Sequence, residues 1–366
     1  MRNPQRALSL AAITFAALAV SACGSGASTS DGPEKVRMAS YVQESTALGQ
    51  ALQHWADETS ACADGQIEFE PFYNGSLFGA TEIRDAVQAR RAEIGHFAPG
   101  YHPGEFPLTD GLLAVPFVAT NMPAVMDSFM ELYRTTPETQ AEWNNQGMHL
   151  LAVLPGSPSA FGTETQVETL DDLAGLQIRG YSGGGLNAGL EAAGATPVDL
   201  ELTELPEGMQ RGVVDGFTGL TIDGITSLSL HENTPYLTDA GFGISGTIDI
   251  AVNQEWWDGL SENVQNCATE AADGLVDPYM DMVAEAETAA CEAFRDEDME
   301  LTVLPDSEQE AWQDLVGDQQ MAAWSEDASS SVDDPEGYFG NYQEIISAAE
   351  AEHQDFGEAG VQRCLQ

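Results

Sequence analysis

The chain has 366 residues, with 12 Lys and Arg against 60 Asp and Glu, and its formal net charge is −48. This balance excludes nucleic acid as a partner, because binding it depends on basic side chains that neutralise phosphates. Hydrophobic residues make up 43 % of the chain, which is enough for packed cores, so the chain is not globally disordered. A surface this acidic, with Lys35 as the one lysine, is typical of a salt-adapted protein kept soluble by its charge.

The N-terminal segment has the pattern of an export signal. Two arginines precede an apolar run over residues 7–20, and small residues then lead to Cys23. This combination is typical of a secretory signal, and the run is too short to span a bilayer. The placement of Cys23 resembles a bacterial lipobox, in which that cysteine is lipidated and becomes the mature N-terminus. We therefore predict a signal peptide over 1–22, a flexible tether over 23–34, and an extracytoplasmic protein anchored to the cell membrane.

Four further cysteines follow in the body of the chain: Cys62, Cys267, Cys291 and Cys364. An even number of cysteines in an exported protein predicts two disulfides, and three pairings are open. No CxxC motif and no close Cys/His spacing is present, so we expect neither a metal site nor a cofactor.

The body of the chain alternates predicted strands and helices. Apolar periodicity predicts strands over 35–41, 66–72, 93–97, 148–154 and 176–179, and helices over 48–59, 81–91, 123–133 and 186–193. The periodic, Ala/Glu-rich pattern of residues 263–294 predicts one long helix, or two helices with a break near Pro278. The Ser/Asp/Gly-rich stretch 325–340 predicts a loop before a last helix over 342–354. Strands that alternate with helices indicate an α/β protein with parallel sheets.

Arg179 is the leading candidate for a binding residue. It ends a predicted strand just before a glycine-rich turn and a helix, in a chain with few basic residues. Its planar guanidinium can hold a carboxylate with two hydrogen bonds, and the N–H groups at the following helix start would point to the same place. The alternative is a structural ion pair with one of the many acidic side chains.

A second pattern allows a catalytic interpretation. Residues 180–184 form G-x-S-x-G, the spacing that exposes a nucleophilic serine in α/β-hydrolases. Ser182 would be the nucleophile, and His231 or His353 could serve as its base. A strand that ends in arginine fits such a turn poorly, because the strand before it is normally buried and apolar. An exported esterase is therefore the alternative to a binding protein.

The segment 170–220 resembles the core signature of the solute-binding receptors of TRAP transporters, the DctP-type family. The matching pieces are Asp172-Leu173, Gly175-Leu176-Gln177-Ile178-Arg179, Ala193-Gly194-Ala195 and Gly212-Val213-Val214-Asp215-Gly216. Further similarity, at 65–79, 115–117 and 252–265, follows in the family's order. The resemblance covers residues 35–300.

The resemblance implies a two-domain α/β fold of the periplasmic-binding-protein type (type II-like), with hinge strands and a long bridging helix. Domain I would comprise 35–156 and 245–284, and domain II 157–244 and 285–338, with a C-terminal helix and tail over 339–366. Such a receptor catalyses no reaction. It would hold a small organic acid by pairing its carboxylate with Arg179 and deliver it to an ion-gradient-driven TRAP permease.

Other ligand-binding candidates follow from their positions at strand ends and turns, where ligands bind in α/β sheets. They are Tyr41, Gln43, Tyr101, His102, Phe161, Tyr181, Phe217 and Asp223. For Phe161 and Phe217 a core position is the equal alternative, and for His102 the alternative is a surface position. Many relatives carry a second arginine about twenty residues before the first, and here that neighbourhood is uncharged. This difference favours a ligand with one carboxylate, and we expect a small monocarboxylic or hydroxy/keto acid. A zwitterionic compatible solute is the other ligand class, although its receptors carry an aromatic residue where this chain has Gln177.

Overall fold

Eleven strands and fourteen α-helices are described in the computed structural model, which covers residues 34–113, 115, 119–180 and 184–366. The predicted signal peptide, Cys23 and nearly all of the predicted tether lie outside these residues. The strands are β1 (Glu34–Ser40), β2 (Ile67–Phe72), β3 (Ile94–Phe97), β4 (Met148–Ala152), β5 (Ala160–Thr163), β6 (Gln177–Gly180), β7 (Thr196–Asp199), β8 (Gly216–Phe217), β9 (Tyr236–Asp239), β10 (Asp249–Asn253) and β11 (Glu300–Val303).

The α-helices lie in both halves of the molecule and in the connections between them. They are α1 (Ala47–Cys62), α2 (Ile83–Gln88), α3 (Asp110–Leu113), α4 (Met122–Thr135), α5 (Pro137–Asn145), α6 (Gly184–Ala192), α7 (Leu205–Gln210), α8 (Ile222–Ser227), α9 (Gln254–Gly259), α10 (Glu262–Asp273), α11 (Val276–Asp296), α12 (Asp306–Ala328), α13 (Pro335–Glu352) and α14 (Val361–Cys364). Among the described residues, no helix is both long and apolar enough to cross a membrane.

The strands form two sheets, and each sheet with its helices makes one lobe. The first lobe has the order β2-β1-β3-β10-β4, and the second has β11-β9-β5-β8-β6-β7. Each sheet is mixed, which corrects the prediction of parallel sheets: β10 runs antiparallel to β3 and β4, and β5 runs antiparallel to β8 and β9. The reason is that β5 and β10 follow the two segments that pass between the lobes, so each enters its sheet from the opposite direction.

We call these two crossing segments, 153–159 and 240–248, the hinge. They pair with each other through an antiparallel bridge between Pro155 and Thr247. Ser159 N–H donates to the Gly243 carbonyl at 2.9 Å. The fold is therefore the two-domain α/β arrangement of periplasmic binding proteins.

Helix α11 bridges the lobes, as the resemblance implied. Tyr279 and Val283 in its first half belong to the core of the first lobe, whereas Ala290 and Phe294 in its second half belong to a core of the second lobe. The preceding helix ends at Asp273, so the break lies before Pro278. That proline occupies the first turn of α11, where its missing N–H costs no intrahelical hydrogen bond.

The C-terminal region differs most from the sequence prediction. Helix α12 runs through the first part of the predicted loop, and α13 begins within its last part. The polar residues there cap a helix: the Asp334 side chain accepts from Gly337 N–H at 3.0 Å, and Pro335 follows at the first helical position. Trp324 and Tyr338, predicted for domain II, lie in the core of the first lobe. Helix α12 therefore forms a second connection between the lobes.

Two disulfides are present, and they select one of the three open pairings. Cys62 at the end of α1 is bonded to Cys267 on α10. Cys291 on α11 is bonded to Cys364 on α14, which ties the C-terminal segment to the bridging helix.

Candidate functional site

Arg179 lies at the end of β6 and is 1 % exposed. The strand is held in place by the family's Val-Asp-Gly turn: the Asp215 side chain accepts from Gln177 N–H at 2.7 Å, and Asp215 N–H donates to the Gln177 carbonyl at 2.7 Å. The next residue, Gly216, pairs with Ile178 and comes so close to β5 that a Cβ atom would lie 2.5 Å from the Gly162 carbonyl oxygen. The motif therefore fixes the strand that carries the arginine.

The guanidinium of Arg179 has neutral hydrogen-bond partners. Its Nε donates to the Leu200 carbonyl at 3.1 Å, and one terminal nitrogen donates to the Tyr101 hydroxyl at 3.1 Å. Over the described part of the chain, no carboxylate lies within ion-pair distance of it. The structural ion pair considered from the sequence is therefore not found there. A buried guanidinium in this setting is suited to an anion that enters from outside.

A cavity of about 100 Å³ lies between the lobes, and Arg179 forms part of its wall. Its volume is of the order of the ~150 Å³ engineered cavity that holds benzene, so it suits a small ligand. The lining comes from the turns after β1 and β3, from the β6 end, from the segment 219–228 and from both hinge segments. Arg179 is the one charged residue among the described lining residues, and most of the others are apolar or carry hydroxyl groups.

Four of the residues predicted from the sequence share this wall: Tyr41, Gln43, Tyr101 and Arg179. The rings of Tyr41 and Tyr101 meet edge to face, with their centroids 5.6 Å apart. Burial raises the pKa of the Tyr101 hydroxyl, and the neighbouring Arg179 opposes that rise. The Gln43 side chain reaches across the cleft and donates to the Ser227 carbonyl at 3.1 Å. These contacts join the two lobes around the cavity.

Phe161 and Phe217 lie in the cores of the second lobe, which is the alternative that the sequence left open for them. Phe161 stacks on Trp312 at 5.6 Å in one core of the second lobe, and Phe217 is completely buried in the other core. Both faces of this sheet are covered, so apolar side chains on either face of its strands are buried away from the cavity. Their predicted contact with ligand is therefore not supported by their placement.

His102 and Asp223 are also not among the described lining residues. His102 borders a separate cavity of about 190 Å³, where burial, together with the charge of Arg84, lowers its pKa to about 4. Asp223 lies at the junction of the lobes, where its carboxylate accepts from Ala47 N–H at 2.9 Å at the start of α1. A helix N-terminus favours a carboxylate, so Asp223 acts there as a link between the lobes. Tyr181 lies outside the described residues.

The described residues do not bring together the groups that the esterase interpretation requires. Ser182 lies outside the described residues. His353 is hydrogen bonded to Asp127 on α4 at 2.6 Å, and the His231 ring packs near Phe294. Neither histidine lines the cavity that contains Arg179.

Sequence reasoning missed the contribution of the hinge. Ser157, Ser159 and Thr247 line the cavity, although their segments carry no motif. The available signal was a short Gly/Ser-containing run beside a predicted strand, and this pattern is also typical of ordinary turns. Ser157 Oγ donates at 2.5 Å to the carboxyl of Glu287 on α11, and burial raises the pKa of Glu287.

The described residues include no cluster of His, Cys, Asp and Glu suited to a metal ion.

Comparison with known proteins gives the same family as the motif in segment 170–220. The chain is 26 % identical over 309 residues to the ectoine/5-hydroxyectoine-binding periplasmic protein UehA of Ruegeria pomeroyi, covering 83 % of this chain and 89 % of that protein. It is 25 % identical to the ectoine-binding periplasmic protein TeaA of Halomonas elongata, over 77 % of each chain. A TRAP solute-binding protein of Rhodoferax ferrireducens, solved with copurified benzoate, superposes with a TM-score of 0.79 at 21 % identity, covering 87 % of this chain and 99 % of that one. Residues 38–326 match the family described as bacterial extracellular solute-binding protein, family 7 (DctP). The chain therefore belongs to the DctP family of TRAP-transporter solute-binding receptors, whose members are binding proteins.

Proposed function

We propose that this protein is the lipid-anchored extracytoplasmic receptor of a TRAP transporter, and that it binds a small organic monocarboxylate through Arg179. The observation that carries the proposal is the burial of this guanidinium in a cavity wall, where its hydrogen-bond partners among the described residues are neutral. Taking a charge out of water is costly unless another charge pairs with it. A ligand carboxylate would supply that pair and would occupy the cavity between the lobes.

The charges around the cavity favour a ligand with a single negative charge. The described lining residues include one arginine and no lysine, so a second carboxylate would be buried without a cation. Leu202, Leu220, Leu228 and Ile248 offer apolar contacts to the body of the ligand. The solved relative that holds benzoate, an aromatic monocarboxylate, is consistent with a ligand of this kind.

A zwitterionic compatible solute such as ectoine is the second candidate. It is favoured by the two ectoine-binding relatives and by the aromatic pair of Tyr41 and Tyr101, whose rings could face a delocalised cation. Against it, the described lining residues include no carboxylate to pair with the cationic end. Ectoine therefore belongs in the binding screen beside the simple acids.

The remaining parts of the proposal concern what the receptor does with its ligand. We infer that it performs no catalysis, that Cys23 carries the lipid anchor, and that the closed receptor hands its ligand to the permease in the membrane. Replacing Cys23 by serine should release the protein from the membrane fraction into the soluble extracytoplasmic fraction. If the Cys23→Ser protein stays in the membrane fraction, the lipid anchor is refuted.

Arg179→Gln is the direct test of the binding site. Loss of a buried charge-assisted contact should weaken binding about hundredfold, which corresponds to about 2.7 kcal/mol. The assay is isothermal titration in molar NaCl with benzoate, propanoate, succinate and ectoine, after removal of any bound ligand by unfolding and refolding. Arg211→Gln is the matched control, because Arg211 lies on the same lobe, is exposed, and pairs only with Glu207 among the described residues. Equal affinities for Arg179→Gln and the native chain would refute the proposed role.

A further inference from the structure

A hydrogen-bonded contact joins helix α8 of the second lobe to the start of α1 in the first lobe. The Asp223 carboxylate accepts from Ala47 N–H at 2.9 Å, and the two residues are 9 % and 3 % exposed. Beside this contact, the Gln43 side chain donates to the carbonyl of Ser227, the last residue of α8, at 3.1 Å. Both the first turn and the last residue of α8 are therefore bound to the first lobe. We call the contact between Asp223 and Ala47 the latch.

The latch satisfies a backbone group that α1 cannot satisfy by itself. Ala47 is the first residue of α1, and the first N–H groups of a helix have no partner within it. Thr46 caps the helix by accepting from Gly49 N–H at 3.2 Å, and Asp223 serves Ala47 N–H from the other lobe. The negative charge of Asp223 also lies at the positive end of the helix dipole. Separation of the lobes would remove both contributions, so the latch favours the closed arrangement.

Both sides of the latch are held rigid within their own lobes. In the first lobe, the Thr46 hydroxyl donates to the Gln43 carbonyl at 2.8 Å, and a Cβ atom on Gly49 would lie 2.2 Å from that same carbonyl oxygen. In the second lobe, the other oxygen of Asp223 accepts from Gly224 N–H at 2.9 Å. A contact between two such rigid parts is lost when the lobes move apart.

The latch lies outside the wall of the ligand cavity. Neither Asp223 nor Ala47 is among the described lining residues, whereas their chain neighbours Gly224 and Thr46 are. A ligand in the cavity therefore neither supplies the latch nor displaces it. A contact that does not involve the ligand stabilises the closed lobes by the same amount whichever ligand is bound.

We propose that Asp223 is a positioning residue that favours closure of the two lobes over the cavity and so sets how long a bound ligand stays there. The part that concerns the ligand rests on the proposed function, whereas closure of the lobes does not depend on it. A hydrogen bond to a charged group changes an equilibrium constant by about tenfold. Loss of the latch should therefore change the ratio of closed to open receptor by about that factor.

Distances between the lobes test the latch in the absence of ligand. Spin labels on genetically encoded ketone side chains would replace Glu58 on α1 and Glu232 just after α8, both exposed, and would leave the four disulfide cysteines intact. After unfolding and refolding to remove bound ligand, pulsed EPR of the full chain in high salt should show a closed population. Asp223→Ala should lower the closed-to-open ratio about tenfold. Asp223→Asn, whose amide oxygen can still accept from Ala47 N–H, should lie between the two.

Release rates test the part of the inference that concerns the ligand. Stopped-flow fluorescence of the tyrosines in the cavity wall would follow dissociation of four probes: benzoate, propanoate, succinate and ectoine. Asp223→Ala should speed the dissociation of every probe that binds by the same factor of about ten, because the latch acts on the lobes and not on the ligand. An equal factor for unlike ligands is a result that direct contact with one of them would not give.

Glu207→Ala is the matched control. It removes an exposed acid from the first turn of α7 in the same lobe, where Glu207 pairs with Arg211, and it should change neither the distances nor the rates. The inference is overturned if the ligand-free native chain shows only an open distance, if Asp223→Ala keeps the native ratio, or if its release rates stay native. If none of the four probes binds, the proposed function fails, and the ligand-free distances still decide whether Asp223 closes the lobes.

Discussion

Glu142 on α5 is a buried acid of the first lobe, and its raised pKa predicts a measurable dependence of stability on pH. Its carboxyl is 6 % exposed, and it accepts from Leu108 N–H at 2.6 Å while its other oxygen lies 2.5 Å from Thr109 Oγ1. Burial raises its pKa to about 8, and Asp110 nearby contributes to the rise. Thr109 donates to the Glu142 carboxyl in this structure. Glu142→Gln keeps the shape of the neutral acid, and because a hydroxyl group can accept as well as donate, Thr109 can turn to accept from the amide NH₂ group.

The direction in which pH changes the stability of the fold follows from how many protons the folded and unfolded states bind. A carboxyl with a raised pKa binds more protons in the folded state, so its contribution to stability is complete below its unfolded pKa and is lost as the pH rises through 8. Each pH unit in this interval costs the fold about 1.4 kcal/mol, which gives an upper limit of about 5 kcal/mol. We expect about 2 kcal/mol, because the two hydrogen bonds partly satisfy the ionised carboxylate. Glu142→Gln has no carboxyl group to ionise, so it does not lose this stability as the pH rises.

The assay is thermal unfolding of the native chain and Glu142→Gln at pH 5 and pH 8.5, at constant high salt. Relative to the native chain, the variant should gain about 4 °C in Tm between the two pH values, at about 2 °C per kcal/mol for a chain of this size. Glu138→Gln is the matched control, because it removes an exposed acid from the same helix, α5, and should show no such gain. The reasoning is refuted if Glu142→Gln is destabilised equally at both pH values, since the carboxyl would then contribute packing and hydrogen bonds independent of its proton.

Two further predictions concern stability. Cys62–Cys267 and Cys291–Cys364 close long stretches of chain, with sequence separations of 205 and 73, so each should stabilise the fold by about 4 kcal/mol. Calorimetry with and without a reductant should show a fall in Tm of about 10 °C or more when both are reduced, and an unchanged Tm would contradict it. Gly162→Ala should destabilise the second lobe by about 3 kcal/mol in denaturant unfolding, because its Cβ would lie 2.2 Å from the Phe217 ring. Gly259→Ala, where the added Cβ meets nothing within 4 Å, is the control, and equal midpoints for the two variants would refute the argument.

The sequence was most informative where a residue type is scarce or a motif is local. Arg179 could be predicted because basic residues are few and because its strand end, turn and helix start are adjacent in the chain. The Val-Asp-Gly motif could be predicted as well, although only the structure shows that Asp215 holds the strand of Arg179 in place. The even cysteine count predicted two disulfides, but pairing depends on which helices lie side by side, so it remained open.

The sequence left burial open where it depends on distant parts of the chain. Phe161 and Phe217 follow strand patterns, but periodicity does not say which face of a sheet meets a ligand when helices cover both faces. Helix α12 was missed because its polar and apolar residues are poorly segregated. It packs by its ends against different lobes, with Trp312 in one core and Trp324 in another.

By itself the sequence determined the α/β class, the predicted export signal, the family suggested by the motif, and the arginine that we propose as the ligand-binding residue. These properties reside in local patterns, because turns, strand periodicity and residue scarcity act over short stretches of chain. Only the tertiary structure decided which side chains share the cavity. Ser157 and Thr247 are 90 positions apart in the chain, and both line the cavity because the two hinge segments pair with each other. That pairing is a long-range contact, and it is set by how the two lobes pack rather than by the residues beside either one.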